Sequence, residues 1–262
     1  MFLIRFIRTL LSLPFLWGGQ LTGIFQLPIS IQLLRAAWWI SADGQMGLKA
    51  LQAITKLREP AEAIGCAVAW METYPRVELA AYAGLLAAGA GLADIARNML
   101  VVSQQFPTDS LGLTELLEFT ISKRFEPIGT AADCARRLEN RSDLSPSVSG
   151  MIHTELLWDA MLCGRLDEAR RRADYMLSVG DAPPAHVALS ALARHHGNEI
   201  GASRHIEQAK LPPAELHYYL FLSACGIGDE LEARAALQQL SDFNASLAEY
   251  ATHQVNAVRG RK

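Results

Sequence analysis

The chain has 262 residues, half of them hydrophobic, with 19% charged side chains and a formal net charge of −3. That length fills one large domain or two small ones. The charge balance excludes a global positive field of the kind that collects nucleic acid or an anionic membrane, so any basic surface is local.

Alanine and leucine dominate, β-branched and aromatic runs are scarce, and the prolines fall mostly between apolar-periodic stretches. This is the composition of an all-α protein.

At the amino terminus no charged side chain lies between Arg8 and Arg35, a span long enough to cross a bilayer as a helix if it were uniformly apolar. Pro14, Gly18, Gly19, Gly23 and Pro28 break or kink such a helix, and Gln20, Gln26, Ser30 and Gln32 each add a desolvation cost in hydrocarbon. Arg5, Arg8, Thr9 and Ser12 share one helical face while Phe2, Phe6 and their apolar neighbours cover the rest. That is the pattern of a helix lying in a membrane interface with its arginines toward the headgroups. Trp38 and Trp39, close to Arg35, suit a second anchor at the same depth. Residues 1–43 are therefore expected to form an interfacial or re-entrant membrane-associating segment, with Phe2, Arg5, Phe6, Arg8, Trp17, Phe25, Trp38 and Trp39 as its contacts. Two other readings stay open. One is a cleaved signal peptide, against which no small-x-small site follows Leu13–Trp17; the other is an apolar hairpin covered by its neighbours or by a partner.

Positive charge flanks both sides of this segment, Arg5 and Arg8 before it and Arg35, Lys49, Lys56 and Arg58 after it, so charge alone does not orient it. Cys66, Cys134, Cys163 and Cys225 are widely spaced with no C-x-x-C pair and no zinc-type spacing. They read as small core residues of a protein in a reducing compartment, which tilts the expectation toward the cytoplasmic side for the rest of the chain; a disulfide between two of them stays open, since spacing does not fix spatial pairing.

From residue 44 onward one phrase recurs. Gly91-Leu-Ala-Asp-Ile-Ala96, Gly164-Arg-Leu-Asp-Glu-Ala169, Gly197-Asn-Glu-Ile-Gly-Ala202 and Gly228-Asp-Glu-Leu-Glu-Ala233 each set a glycine five residues before an alanine. Arg58-Glu-Pro-Ala-Glu-Ala63 and Gly129-Thr-Ala-Ala-Asp-Cys134 are looser copies. The anchors 63, 96, 134, 169, 202 and 233 are spaced by 33, 38, 35, 33 and 31 residues, close to a helix–turn–helix period of about 34. Each glycine ends a first helix in the left-handed conformation. Asp94, Asp167, Glu199 and Asp229 then sit near the positive end of the next helix, and the small anchor residue lets the two helices approach.

On these residues the sequence resembles the tetratricopeptide-repeat family over about residues 44–245. Gly84, Gly91, Ala96 and Pro107 of the second unit carry the closest likeness, together with Cys163-Gly-Arg-Leu-Asp-Glu-Ala169 of the fourth. The aromatic residue of the early first helix is replaced by Ala80, His153, His186 and His217, and the third unit carries extra residues. The resemblance implies a right-handed α-solenoid of about six helix pairs over residues 44–250, with 251–262 left as a short basic tail. It also implies that the first helices line a concave surface that grips a partner. Leu85, Phe119, Thr154, Trp158, Met161, Val187, Arg194, Glu215, Tyr218 and Leu222 fall on that side. An apolar helix or extended segment is the expected occupant, with Trp158, Met161 and Tyr218 as leading contacts, although each of these also fits an ordinary core position.

The dense cluster Arg165, Arg170, Arg171 and Arg172 reads as a solvated second-helix face among Asp167, Glu168 and Asp174, with a phosphate or lipid-headgroup site as the other reading. His195, His196 and His205 are the clustered histidines, but no carboxylate completes a metal set beside them. No zincin, nucleophile-elbow, Walker or dinucleotide glycine motif occurs. The expectation is a noncatalytic scaffold or adaptor at a membrane surface that binds protein, uses no cofactor and takes no nucleic acid. The alternative is a soluble interaction subunit whose apolar amino terminus is buried in a larger complex.

Overall fold

Left-handed glycines punctuate the chain where the repeated phrase places them. In the computed structural model, which describes residues 11–19, 29–41, 43–57, 59–106, 112–180 and 182–260, every regular element is an α-helix. The chain divides into two compact units, Met1–Phe125 and Glu126–Lys262. The division falls inside the third expected pair, not near residue 43.

The first unit contains helical residues 11–19 (α1), Ile29–Ser41 (α2), Gly44–Leu57 (α3), Pro60–Thr73 (α4), Val77–Gly89 (α5), Ala93–Gln104 (α6) and Leu113–Phe125 (α7). Residues 11–19 stay helical through Pro14 and Gly18, which the sequence reading marks as breakers. Trp38 of α2 is buried, stacked on Trp70 at 5.6 Å and set edge-on to Tyr74. Gly47 makes room for it, since a Cβ there would stand 2.6 Å from the Trp38 ring. Leu16, Leu34, Leu51, Ile54 and Leu79 complete this core, and Leu117 and Ile121 of α7 pack with Ala87, Ala88 and Ala96 in a second cluster.

The second unit contains Ile128–Leu138 (α8), Pro146–Leu162 (α9), Leu166–Val179 (α10), Pro183–His195 (α11), Glu199–Ala209 (α12), Pro213–Ile227 (α13), Glu230–Phe243 (α14) and Ala245–Arg259 (α15). The pairs α9–α10, α11–α12 and α13–α14 pack as neighbours, as does α5–α6 in the first unit. Gly91, Gly164, Gly197 and Gly228 end the first helix of these four pairs at φ of 80°, 73°, 74° and 80°. In each, the amide after the glycine donates to the carbonyl five residues back at 2.9 Å: Leu92 to Ala87, Arg165 to Ala160, Asn198 to Ala193 and Asp229 to Ala224. The bond satisfies a carbonyl that a helix end otherwise leaves open. Asn198 and Asp229 then cap the second helices by accepting from Gly201 and Glu232. Ala63, Ala96, Cys134, Ala169, Ala202 and Ala233 are all buried.

Two expectations are corrected. Gly129 lies inside α8 and closes no turn, because the chain enters that helix directly from extended Pro127. The expected tail is helical as far as Arg259. Ala248, Ala251, Val255 and Val258 recur at helical spacing, and that stripe is buried. α15 packs on α13 and α14 and also on α8 and α9, so the last helix of this unit touches its first.

Candidate interaction surfaces

The residues read as a partner groove in the second unit are largely core. Trp158, Met161 and Leu222 are buried, as is Val187. Phe119 is likewise buried in the first unit, and Leu85 is half-buried against Ala87 and its neighbours there. Trp158 stacks on Tyr219 at 5.0 Å, and Tyr218 meets Tyr219 edge-on. Arg194 is held by an ion pair to Glu232 of α14. A side chain closed off in this way offers no surface to a docked protein, so of the expected contacts here Tyr218 is the aromatic one that keeps partial exposure. Packing between the first helices themselves closes most of these positions, and α15 adds to it at one point, where its Tyr250 stacks on Tyr218 at 6.4 Å.

Glu155, one turn before Trp158, is buried among these tyrosines and was missed. Its spacing from Trp158 on α9 was the available signal. Burial lifts the Tyr218 hydroxyl well above its ordinary range, with Tyr250 and Glu155 adding to the effect. Burial likewise pushes Tyr219 up to about 12, reinforced by Glu155. All three tyrosines stay neutral at physiological pH and serve as apolar walls with a hydroxyl donor.

α15 leaves its other flank open. A cleft of about 360 Å³ lies between α13, α14 and α15, lined by Cys225, Leu237, Thr252 and Arg259. A second of about 740 Å³ continues along α14 and α15 past Gln238, Ser241 and Glu249. Burial raises the Cys225 thiol above its usual value, so it is a poor nucleophile where it stands.

In the first unit Trp17 is 62% exposed and Trp39 71%, against 2% for Trp38. Leu11 and Phe15 are exposed as well. The expectation that Trp38 anchors the chain to a membrane is therefore corrected, because its ring fills the α2–α4 core. Adjacent residues on a helix point about 100° apart, so one tryptophan is inside and the next outside. Phe2, Arg5, Phe6, Arg8 and Phe25 lie outside the described residues. Among the described residues no helix is long and apolar enough to cross a membrane.

The arginine cluster is only partly a solvated face. Buried Asp159 of α9 receives both Arg136 of α8 and Arg165. Arg165 also pairs with Glu168 at 2.8 Å, Glu168 with Arg172, and Arg172 with Glu139 at 2.7 Å. This chain of alternating charge ties α8, α9 and α10 together, while Arg170 and Arg171 remain exposed. Beside it His153 lines a cleft with Tyr175 and Arg171, and burial depresses its proton affinity.

His195 and His196 are exposed neighbours. His205 instead faces His186 across α11 and α12, with the two Nδ1 atoms 3.2 Å apart. This pairing escaped the sequence because the residues sit on different helices. Among the described residues no group of three or more histidines, cysteines or carboxylates converges as a metal site.

No protein-family model matches the chain, and no curated protein matches it.

Proposed function

We propose that the chain is a noncatalytic, membrane-associated scaffold, a right-handed α-solenoid of about six tetratricopeptide-like helix pairs that holds a protein partner at a membrane surface and serves the assembly of a membrane-linked complex. The observation that carries the membrane half is the exposure of Trp17 and Trp39 on helices that bury the neighbouring Leu16 and Trp38. Tryptophan held outward from a rigid helix suits the headgroup layer, where its ring is apolar and its N–H finds water. The repeated glycine turns support the solenoid, since each sets the same reversal between two helices. Free thiols at Cys66, Cys163 and Cys225 support a cytoplasmic placement.

A second reading is a soluble subunit that buries the same surface in a larger complex. The seating of Trp38 in protein favours it, because α2 already packs as an ordinary core helix on one side. Sedimentation of the full chain with vesicles of mixed zwitterionic and anionic lipid separates the two. The scaffold reading expects co-sedimentation that Trp17→Ser with Trp39→Ser abolishes. Retention of the wild-type chain in the supernatant overturns it.

A further inference from the structure

α15 lies against α9 and α13, two of the first helices that the repeat pattern expects to face a partner. α15 follows α14 after a single residue, Asn244, which is extended at φ −159° and ψ 94° and ends one helix as it begins the next. The Asn244 side chain accepts from the amide of Leu247, so α15 carries its own cap wherever it is docked. Its buried stripe, Ala248, Ala251, Val255 and Val258, consists of small side chains that each hide little apolar area. Two open clefts, one between α13, α14 and α15 and one along α14 and α15, interrupt the packing of the helix on that flank, while α8 and α9 meet it from the other. The specific fastening there is Gln254, 1% exposed. Its Oε1 accepts from the amide of Ile128 at 2.5 Å, and its Nε2 donates to the carbonyl of Glu126 at 3.4 Å.

We propose that α15 is a displaceable intramolecular ligand of the second unit. It swings about Asn244 as a preformed helix, and the surface it leaves takes a partner helix of the same chemistry: small apolar residues at i, i+3, i+7 and i+10, with an aromatic side chain placed to stack on Tyr218. Partner binding is then a competition with α15, and Gln254 sets how much of the chain is open. This rests on the scaffold reading for its biological meaning, but not for its test.

The test is site-resolved amide exchange of the full chain, joined to binding of a fluorescent peptide of residues 244–259. In the wild-type chain the Ile128 amide and the interior amides of α15 are expected to exchange together, and faster than those of Phe221 and Leu222 in α13. Gln254→Ala is expected to speed that group by about tenfold, the factor set by one lost buried hydrogen bond, while α11 and α12 are unchanged. The peptide is expected to bind Gln254→Ala at least about tenfold more tightly than wild type. Tyr250→Ala, at a half-buried site, provides a second variant with the same expected direction. The proposal is overturned if α15 and Ile128 exchange only with the α13 core, a result that needs no variant. It is equally overturned if the helix opens but the peptide does not bind. Because the probe is the chain's own helix, failure to find a foreign partner or a membrane interaction would remove the scaffold reading and leave these rates as they are.

Discussion

Gln254 accepts a hydrogen bond from the backbone of Ile128, 126 residues earlier, and thereby joins the last helix of the second unit to its first. The Ile128 amide lies at the start of α8, where a helix has no internal partner for its donors. Gln254→Leu keeps the apolar volume and removes the acceptor, so a buried donor is orphaned. A loss of about 1–3 kcal/mol is expected, read as a lower midpoint in urea. An unchanged midpoint would mean that the bond from Ile128 to Gln254 contributes nothing to the stability of the unit.

Trp38 and Trp39 should respond in opposite ways to the same substitution. Trp38→Ala empties the stack on Trp70 and is expected to cost about 3–5 kcal/mol. Trp39→Ala removes an exposed ring and should stay within about 0.5 kcal/mol of wild type. Thermal unfolding of the two variants checks both.

Gly226 and Gly65 form a similar contrast. A Cβ on Gly226 would come within 2.6 Å of the Met161 carbonyl oxygen where α13 crosses α9, so Gly226→Ala is expected to destabilise by about 1–3 kcal/mol. Gly65 sits exposed within α4 with nothing within 4 Å of its Cβ position, and Gly65→Ala should stabilise by about 0.5–1 kcal/mol.

Removing the Asp159 carboxylate leaves Arg136 and Arg165 without their shared acceptor. Asp159→Ala is expected to cost about 1.5–3 kcal/mol, because a buried acceptor of charged hydrogen bonds is lost while both arginines stay partly exposed and keep Asp133 and Glu168 as partners. A separate pair on α14, Arg234 and Glu230 at 3.5 Å on an exposed face, should contribute less than about 1 kcal/mol. Double-mutant cycles distinguish the two.

Stability should fall as the solution becomes acidic. Burial lowers the proton affinity of His153, and burial with the facing His186 lowers that of His205, both from an ordinary 6.5. A base that binds protons less readily when folded favours the unfolded chain once protons become available, so the loss sets in below pH 6.5 and levels off below the depressed folded values. His153→Gln with His205→Gln should flatten the midpoint-against-pH curve between pH 7 and 5. A curve of unchanged slope would rule these two residues out as its source.

The turns were legible because their requirement is local: a glycine at positive φ followed by an acidic residue near a helix start needs no tertiary context. The fate of Trp158 was not, because the ring that covers it, Tyr219, and the helix that closes the unit, α15, lie far along the chain. A stripe of apolar residues on α9 looks the same whether a foreign helix or the chain's own completes it. Trp38 and Trp39 carry identical hydrophobicity, and only the position of α4 decides which one is covered. Arg165 and Arg172 read as surface charge because their partners Asp159 and Glu139 stand on or beside other helices.

The membrane claim is tested most directly by tryptophan fluorescence of the full chain on vesicles containing brominated lipids. Trp17 and Trp39 project outward while Trp38 and Trp158 are enclosed. The account predicts quenching on brominated vesicles that disappears in Trp17→Phe with Trp39→Phe, with the residual emission insensitive to bromine. Emission unaffected by brominated lipid in the wild-type chain, or quenching that survives the double substitution, would contradict it.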